Sequence, residues 1–145
     1  MYTFFKRTSP HPNLIAFDCP DSNTTNVKRR TSNTPIQALT LLNNETFVEA
    51  ARAFGLRILQ HETDSDEDRI IRALQLCVAR PPTDAEVRKF RNLLDTSRGY
   101  FQSQPEDAKE LLGDKHSEEM DVAEAAAWIA VARIALNLDE VITRE

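Results

Sequence analysis

Arg80-Pro81-Pro82-Thr83-Asp84-Ala85-Glu86 constrains this chain more than any other segment, because it must end one helix and can open the next at once. A proline pushes the residue before it out of the helical region, and two prolines remove two backbone donors, so no helix crosses Arg80-Pro81-Pro82. Thr83 and Glu86 then stand in capping-box register, each side chain placed to take the other's backbone N–H. Upstream, Ser65-Asp66-Glu67-Asp68 supplies a cap and an acidic first turn, and Ile70, Ile71, Leu74, Cys77 and Val78 follow as a helical stripe expected to be buried. Downstream, Val87, Phe90, Leu93, Leu94 and Phe101 fall on the inward face of a long helix.

The same punctuation recurs along the chain. Thr34 suits an N-cap and Pro35 the first helical position, with Ile36, Leu39 and Leu42 at helix spacing behind them. Asn43-Asn44 interrupts, and Asn44 can cap a further helix whose apolar face is Phe47, Ala50, Ala51, Phe54 and Ile58. Gly55 weakens the middle of that helix by up to ~1 kcal/mol relative to Ala, which a close helix crossing at this point would explain. Pro105-Glu106-Asp107 opens a short helix through Leu112, ended by Gly113. The last helix is predicted from about Ser117 to Asn137, with Ala123, Ala127, Ala130 and Ile134 on one face where small residues admit a neighbour, and Trp128 supplying bulk beside them. Residues 1–33 read as an extended arm, restricted by Pro10, Pro12 and Pro20 and anchored through Leu14-Ile15-Ala16-Phe17. The expected architecture is all-α: an irregular bundle of about five to six helices over 34–145, with the arm packed on it as one compact domain. Only three glycines in 145 residues agree with helices rather than turn-rich β structure.

Charge is divided unevenly. Residues 1–35 hold five cationic against two anionic side chains, net +3, and the remainder thirteen against twenty-one, net −8. Opposite charge predicts that the arm lies across the body. Nucleic-acid binding is not expected, since the basic patch is short, lacks interleaved aromatics and belongs to an acidic chain. Membrane contact is not expected either: no apolar run approaches the ~20 residues that span a bilayer, and Met1 to Phe5 does not resemble a signal peptide. The start reads as that of a fragment of a larger protein, with Tyr2, Phe4 and Phe5 expected to dock on something.

No catalytic constellation accompanies this framework. His11, His61 and His116 fall in loops with no nucleophile motif nearby, and His61-Glu62-Thr63-Asp64 and Asp114-Lys115-His116 are polar runs without converging metal ligands. No phosphate loop, dinucleotide fingerprint or calcium loop is present. Glu118, Glu119, Asp121 and Glu124 suit the dipole at a helix start without any catalytic role. Cys19 and Cys77 are the only cysteines, too few for a disulfide framework or a four-cysteine zinc site, and no Cys-x-x-Cys-His haem attachment exists. A single Cys19–Cys77 disulfide stays open as an alternative to a free loop thiol and a buried, inert one. One place could hold a ligand. Lys28-Arg29-Arg30 runs straight into the helix start at Thr34-Pro35, setting cations beside backbone N–H groups of partial positive charge; this suits an anion and equally suits an ordinary capped helix with a solvated basic lead-in.

Six ordered blocks carry a family resemblance. They are Tyr2-Thr3-Phe4-Phe5-Lys6-Arg7-Thr8-Ser9-Pro10, Phe17-Asp18-Cys19-Pro20-Asp21, the Asn33-Thr34-Pro35-Ile36-Gln37-Ala38-Leu39 run through Asn43, Phe47-Val48-Glu49-Ala50-Ala51-Arg52, Arg80-Pro81-Pro82-Thr83, and the terminal run from Ala135 to Glu145. Together they resemble the planctomycete-specific C-terminal domain of unknown function, which follows cytochrome-like domains in large exported proteins. The resemblance implies an exported, periplasm-like setting and contact with other domains of a parent protein, among them a haem-bearing one. The haem motif belongs to that upstream domain, so no cofactor is expected in this chain. Family members commonly carry Cys where Thr25 aligns and Arg where Thr31 aligns. Asp18, Arg29, Asn33, Thr34 and Gln37 match, and are the candidate ligand-binding residues. Two functions follow: a non-catalytic helical interaction module, or the ligand-binding part of an enzyme that holds an anionic or sugar substrate at the basic helix start near Arg29 and Thr34.

Overall fold

In the computed structural model, which describes residues 6, 8–20, 23–28, 32–61, 65–115 and 120–143, the chain is all-α. Eight helices occur among the described residues: α1 (Pro12–Ala16), α2 (Pro35–Asn43), α3 (Glu45–Leu59), α4 (Asp66–Val78), α5 (Asp84–Ser103), α6 (Pro105–Leu112), α7 (Val122–Leu136) and α8 (Asp139–Ile142). The six longer ones are those expected from caps and prolines. The bundle exceeds the expected five to six helices because of two short pieces. The arm is not wholly extended: Pro12 starts α1, and His11 Nδ1 accepts from the Asn13 N–H at 3.2 Å.

Capping explains the boundaries. Asn44, Ser65 and Thr83 each accept a first-turn N–H, and the Thr83–Glu86 capping box is complete. After α4 the chain turns at Ala79, in the left-handed region at φ 56°. α7 begins at Val122, where the Asp121 carboxylate takes the N–H groups of Ala123 and Glu124, and the start expected at Ser117 lies outside the described residues. Arg80, expected only as a helix end, ties two elements together: it pairs with Glu86 in α5 and Glu140 in α8, both at 2.6 Å. The Arg80 guanidinium, helped by the Thr83 N–H and hydroxyl, holds Glu86 down to about 2.

α7 is the centre of the bundle. α3, α5 and α6 pack around it, with α4 and α2 also in contact. The expectation of one small-residue face is therefore too narrow, since Ala125, Ala126, Ala127, Trp128, Ile129, Val131, Ala132 and Ala135 are all buried while Ile134 is exposed. A helix covered on nearly every side reads as apolar all round. Against α7 lie Ile58 of α3, Ile70 and Leu74 of α4, and Phe90, Leu94 and Phe101 of α5. The close crossing expected at Gly55 is present: a Cβ there would stand 2.8 Å from the Ile129 Cα. Trp128 is 1% exposed, and its indole N–H donates to Glu124 at 2.8 Å.

The stripe expected on α2 does not face the core. Ile36 is 68% and Leu39 59% exposed, Leu42 is half-buried, and Gln37 is the residue of α2 that is buried. Arg7, Arg29 and Arg30, three of the five cations of the arm, lie outside the described residues, so the expected charge contact falls there. The described part of the arm meets the body through the Phe17 and Phe47 rings, 5.5 Å between centroids, the Asn13 and Asn44 amides, and the Asn33 amide donating to Asp139 of α8.

Candidate functional site

The start of α2 and the end of α1 together form the site that the sequence singled out. α1 ends in a Schellman turn: the Asp18 N–H reaches the Ile15 carbonyl at 3.2 Å and the Cys19 N–H the Leu14 carbonyl at 2.9 Å. Such a turn needs a left-handed residue, and Asp18 takes that role at φ 54°, a conformation that Asp tolerates better than most side chains. Its carboxylate accepts from the Ser32 hydroxyl and, at 3.3 Å, from the Gln37 amide.

Gln37 is the hub. It is 2% exposed, and every polar atom of its side chain is engaged. Oε1 accepts from the Thr34 N–H at 2.9 Å, the Thr34 hydroxyl accepts from the Gln37 N–H at 3.3 Å, and Nε2 donates to both Asp18 and, at 3.0 Å, Ser32. The capping box of α2 is thus also the clasp that fixes the end of α1. Three of the candidate residues, Asp18, Thr34 and Gln37, converge here. Asn33 does not; its side chain is exposed and turns to Asp139. Arg29 lies outside the described residues, as do Arg30 and Thr31. Ser32 was missed by sequence reasoning, and nothing local announces it. The Thr34–Gln37 capping box has a local signal in the sequence, the Thr-x-x-Gln spacing.

The clasp is held by its own internal partners. Pro35 has no N–H, the Gln37 N–H is taken by Thr34, and the position beside the helix start already holds an internal carboxylate. Removing the hub should open it. Gln37→Ala leaves Asp18 and Ser32 without their amide partner and is expected to cost about 2 kcal/mol, read by denaturant unfolding, with faster hydrogen exchange over residues 11–19. Gln37→Glu keeps the capping box but sets a carboxylate against Asp18, so it should also speed exchange there. Unchanged exchange in both variants would show that the clasp does not hold α1.

Elsewhere, charge is used to join helices. Arg98 of α5 makes a two-pronged contact with Glu124 of α7 at 2.7 and 2.6 Å and reaches Asp66 of α4 at 2.7 Å. The Arg98 contact outweighs burial and holds Asp66 below the usual carboxylate range. Glu124 therefore serves as an interhelix link between a guanidinium and an indole. Burial pushes the Cys77 thiol up to about 11, and both cysteines are free. Among the described residues no three His, Cys, Asp or Glu side chains are grouped as metal ligands would be, and no helix is long and apolar enough to cross a membrane.

No curated protein and no solved structure matches the chain. A family does. Its match runs over residues 1–94, from the N-terminus through α1, the clasp, α2, α3 and α4 into the middle of α5. The protein belongs to the family described as PSD1, Protein of unknown function (DUF1553).

Proposed function

We propose that this chain is a non-catalytic helical docking module. Its α1–α2 face packs against an adjoining domain of a larger protein, which the family resemblance makes an exported, cytochrome-associated one with a haem-bearing domain among the neighbours. The observation that carries this reading is the apolar face of α2: Ile36 is 68% and Leu39 59% exposed, and Ile15 of α1 is 59% exposed. A capped, clasped helix that turns its apolar stripe outward forgoes burial that the core could have used, and exposed apolar surface of this kind marks contact sites. The face lies within the residues shared with the family.

The clasp supports the same reading over a substrate site at Arg29 and Thr34. Gln37 and Ser32 spend their donors on Asp18, so the polar groups at the helix start fix the arm in place and leave α2 presented.

The double variant Ile36→Glu/Leu39→Glu tests it. Both positions are exposed, so the chain's own stability should change by no more than about 0.5 kcal/mol. Association with the adjoining domains of the parent protein, followed by calorimetry, should weaken at least tenfold. A wild-type chain that does not associate, or a double variant that associates equally well, overturns the proposal.

A further inference from the structure

A cavity of about 300 Å³ opens on the side of α7 that faces α2, α3 and α8. Phe17, Phe47, Leu41, Leu136 and Val141 form much of its wall, and Arg133, from the last turn of α7, is the charged residue on it. One Arg133 Nη donates to the Leu42 carbonyl at the end of α2, but Nε is buried without a hydrogen-bond partner. No carboxylate among the described residues pairs with this guanidinium. Arg52, which also caps a helix end, is better provided, whereas the Arg69 Nε is likewise buried without a partner. Arg52 Nε reaches the Leu111 carbonyl at 2.5 Å and Nη2 the Glu110 carbonyl at 3.1 Å, at the end of α6.

We propose that this cavity is a binding site for a small apolar carboxylate. Arg133 is the charged side chain on an otherwise apolar wall and has no ion-pair partner of its own among the described residues, and a guanidinium matches a carboxylate better than any other common anion except phosphate. Phosphate would need further polar partners, and the remaining lining residues are apolar. An amine would be repelled by Arg133. The volume stands at the low end of small-molecule pockets, which selects a short aliphatic or arylalkyl acid rather than a long-chain lipid. In this arrangement the carboxylate meets Arg133, and the hydrocarbon lies against the Phe17–Phe47 pair and Val141. The site is independent of the exposed α2 face.

The intact chain titrated with octanoate below its micellar concentration supplies the test, with octanol and octylamine as controls. Octanoate should bind saturably, raise the melting temperature and shift the NMR signals of Phe17, Val141 and Ile142, while octanol binds at least tenfold more weakly and octylamine not at all. Arg133→Met retains the aliphatic stem and should remove the preference for octanoate over octanol. Because Arg133 also holds the Leu42 carbonyl, Ala50→Trp serves as a second variant. Ala50 lines the cavity, and the new ring should block it with Arg133 untouched and helical content unchanged. Equal affinity for octanoate and octanol, octanoate binding that survives Ala50→Trp, or no saturable shift at all overturns the proposal.

Discussion

Gly55→Ala should destabilise the protein by about 3 kcal/mol, although the same exchange in an exposed helix is favourable. The added Cβ would stand 2.8 Å from the Ile129 Cα, 2.9 Å from its backbone nitrogen and 3.0 Å from its Cγ1. Two of those three atoms are backbone, so no rotamer change relieves the clash; α3 must move away from α7. That displacement disturbs the largest helix contact in the bundle and the burial of Ala51 and Ile58 beside it. In a chain of this length the loss corresponds to a fall in melting temperature of roughly 10 °C. Gly99→Ala is the matched control. Gly99 lies inside α5, and a Cβ there meets nothing within 4 Å. It should raise stability by up to ~1 kcal/mol through helix propensity. Opposite signs for the two substitutions, measured by denaturant unfolding, would establish the close crossing; equal signs would refute it.

The contrast between those glycines also marks how far the sequence could be read. Gly55 lay on an apolar helix, and a close approach there was legible as the reason for a residue that weakens the helix. The six longer helices were legible because each starts at a cap or a proline and most end at one. α1 and α8 were not, since helices of five and four residues have no stability of their own and exist through the contacts they make. α7 was legible as a helix but not as the centre, because a run of alanines has no polar side from which to read an orientation. The periodicity of Ile36, Leu39 and Leu42 announced a face and left open what it faces.

The clasp was legible in part. Thr34 and Pro35 are local signals, and the capping partner Gln37 stands at a readable spacing. The contribution of Asp18 depends on a left-handed turn that sequence more often assigns to glycine, and on a meeting with Ser32 fourteen residues away. The Arg98 links to Asp66 and Glu124 span 32 and 26 residues and leave no local trace. The family match ends inside α5, yet α3 rests on Ile129 of α7, beyond that boundary. The folding unit is therefore larger than the matched segment, and residues 1–94 expressed alone would lack the helix on which α3 and α5 pack.

Trp128→Ala should have the largest effect of any single side-chain truncation, a loss of about 4 kcal/mol. Trp128 is the largest fully buried side chain, at the middle of the central helix, so its removal opens a cavity among residues contributed by several helices. Collapse of that cavity is resisted because α7 is fixed on both sides, by the Gly55 crossing to α3 and by the Arg98–Glu124 contact to α5. The indole N–H is a smaller part of the loss. Glu124 keeps its two-pronged contact with Arg98 when the indole is gone, so the carboxylate is not left unpaired. Trp128→Phe separates the two contributions, since it retains much of the apolar volume and removes the donor. It should cost about 1–2 kcal/mol, well below the alanine variant. Trp128 is the one tryptophan of the chain, so unfolding of both variants is followed by far-UV circular dichroism. Equal losses for Trp128→Phe and Trp128→Ala would place the energy in the hydrogen bond to Glu124; the predicted gap between them places it in the packing of α7 at the centre of the bundle.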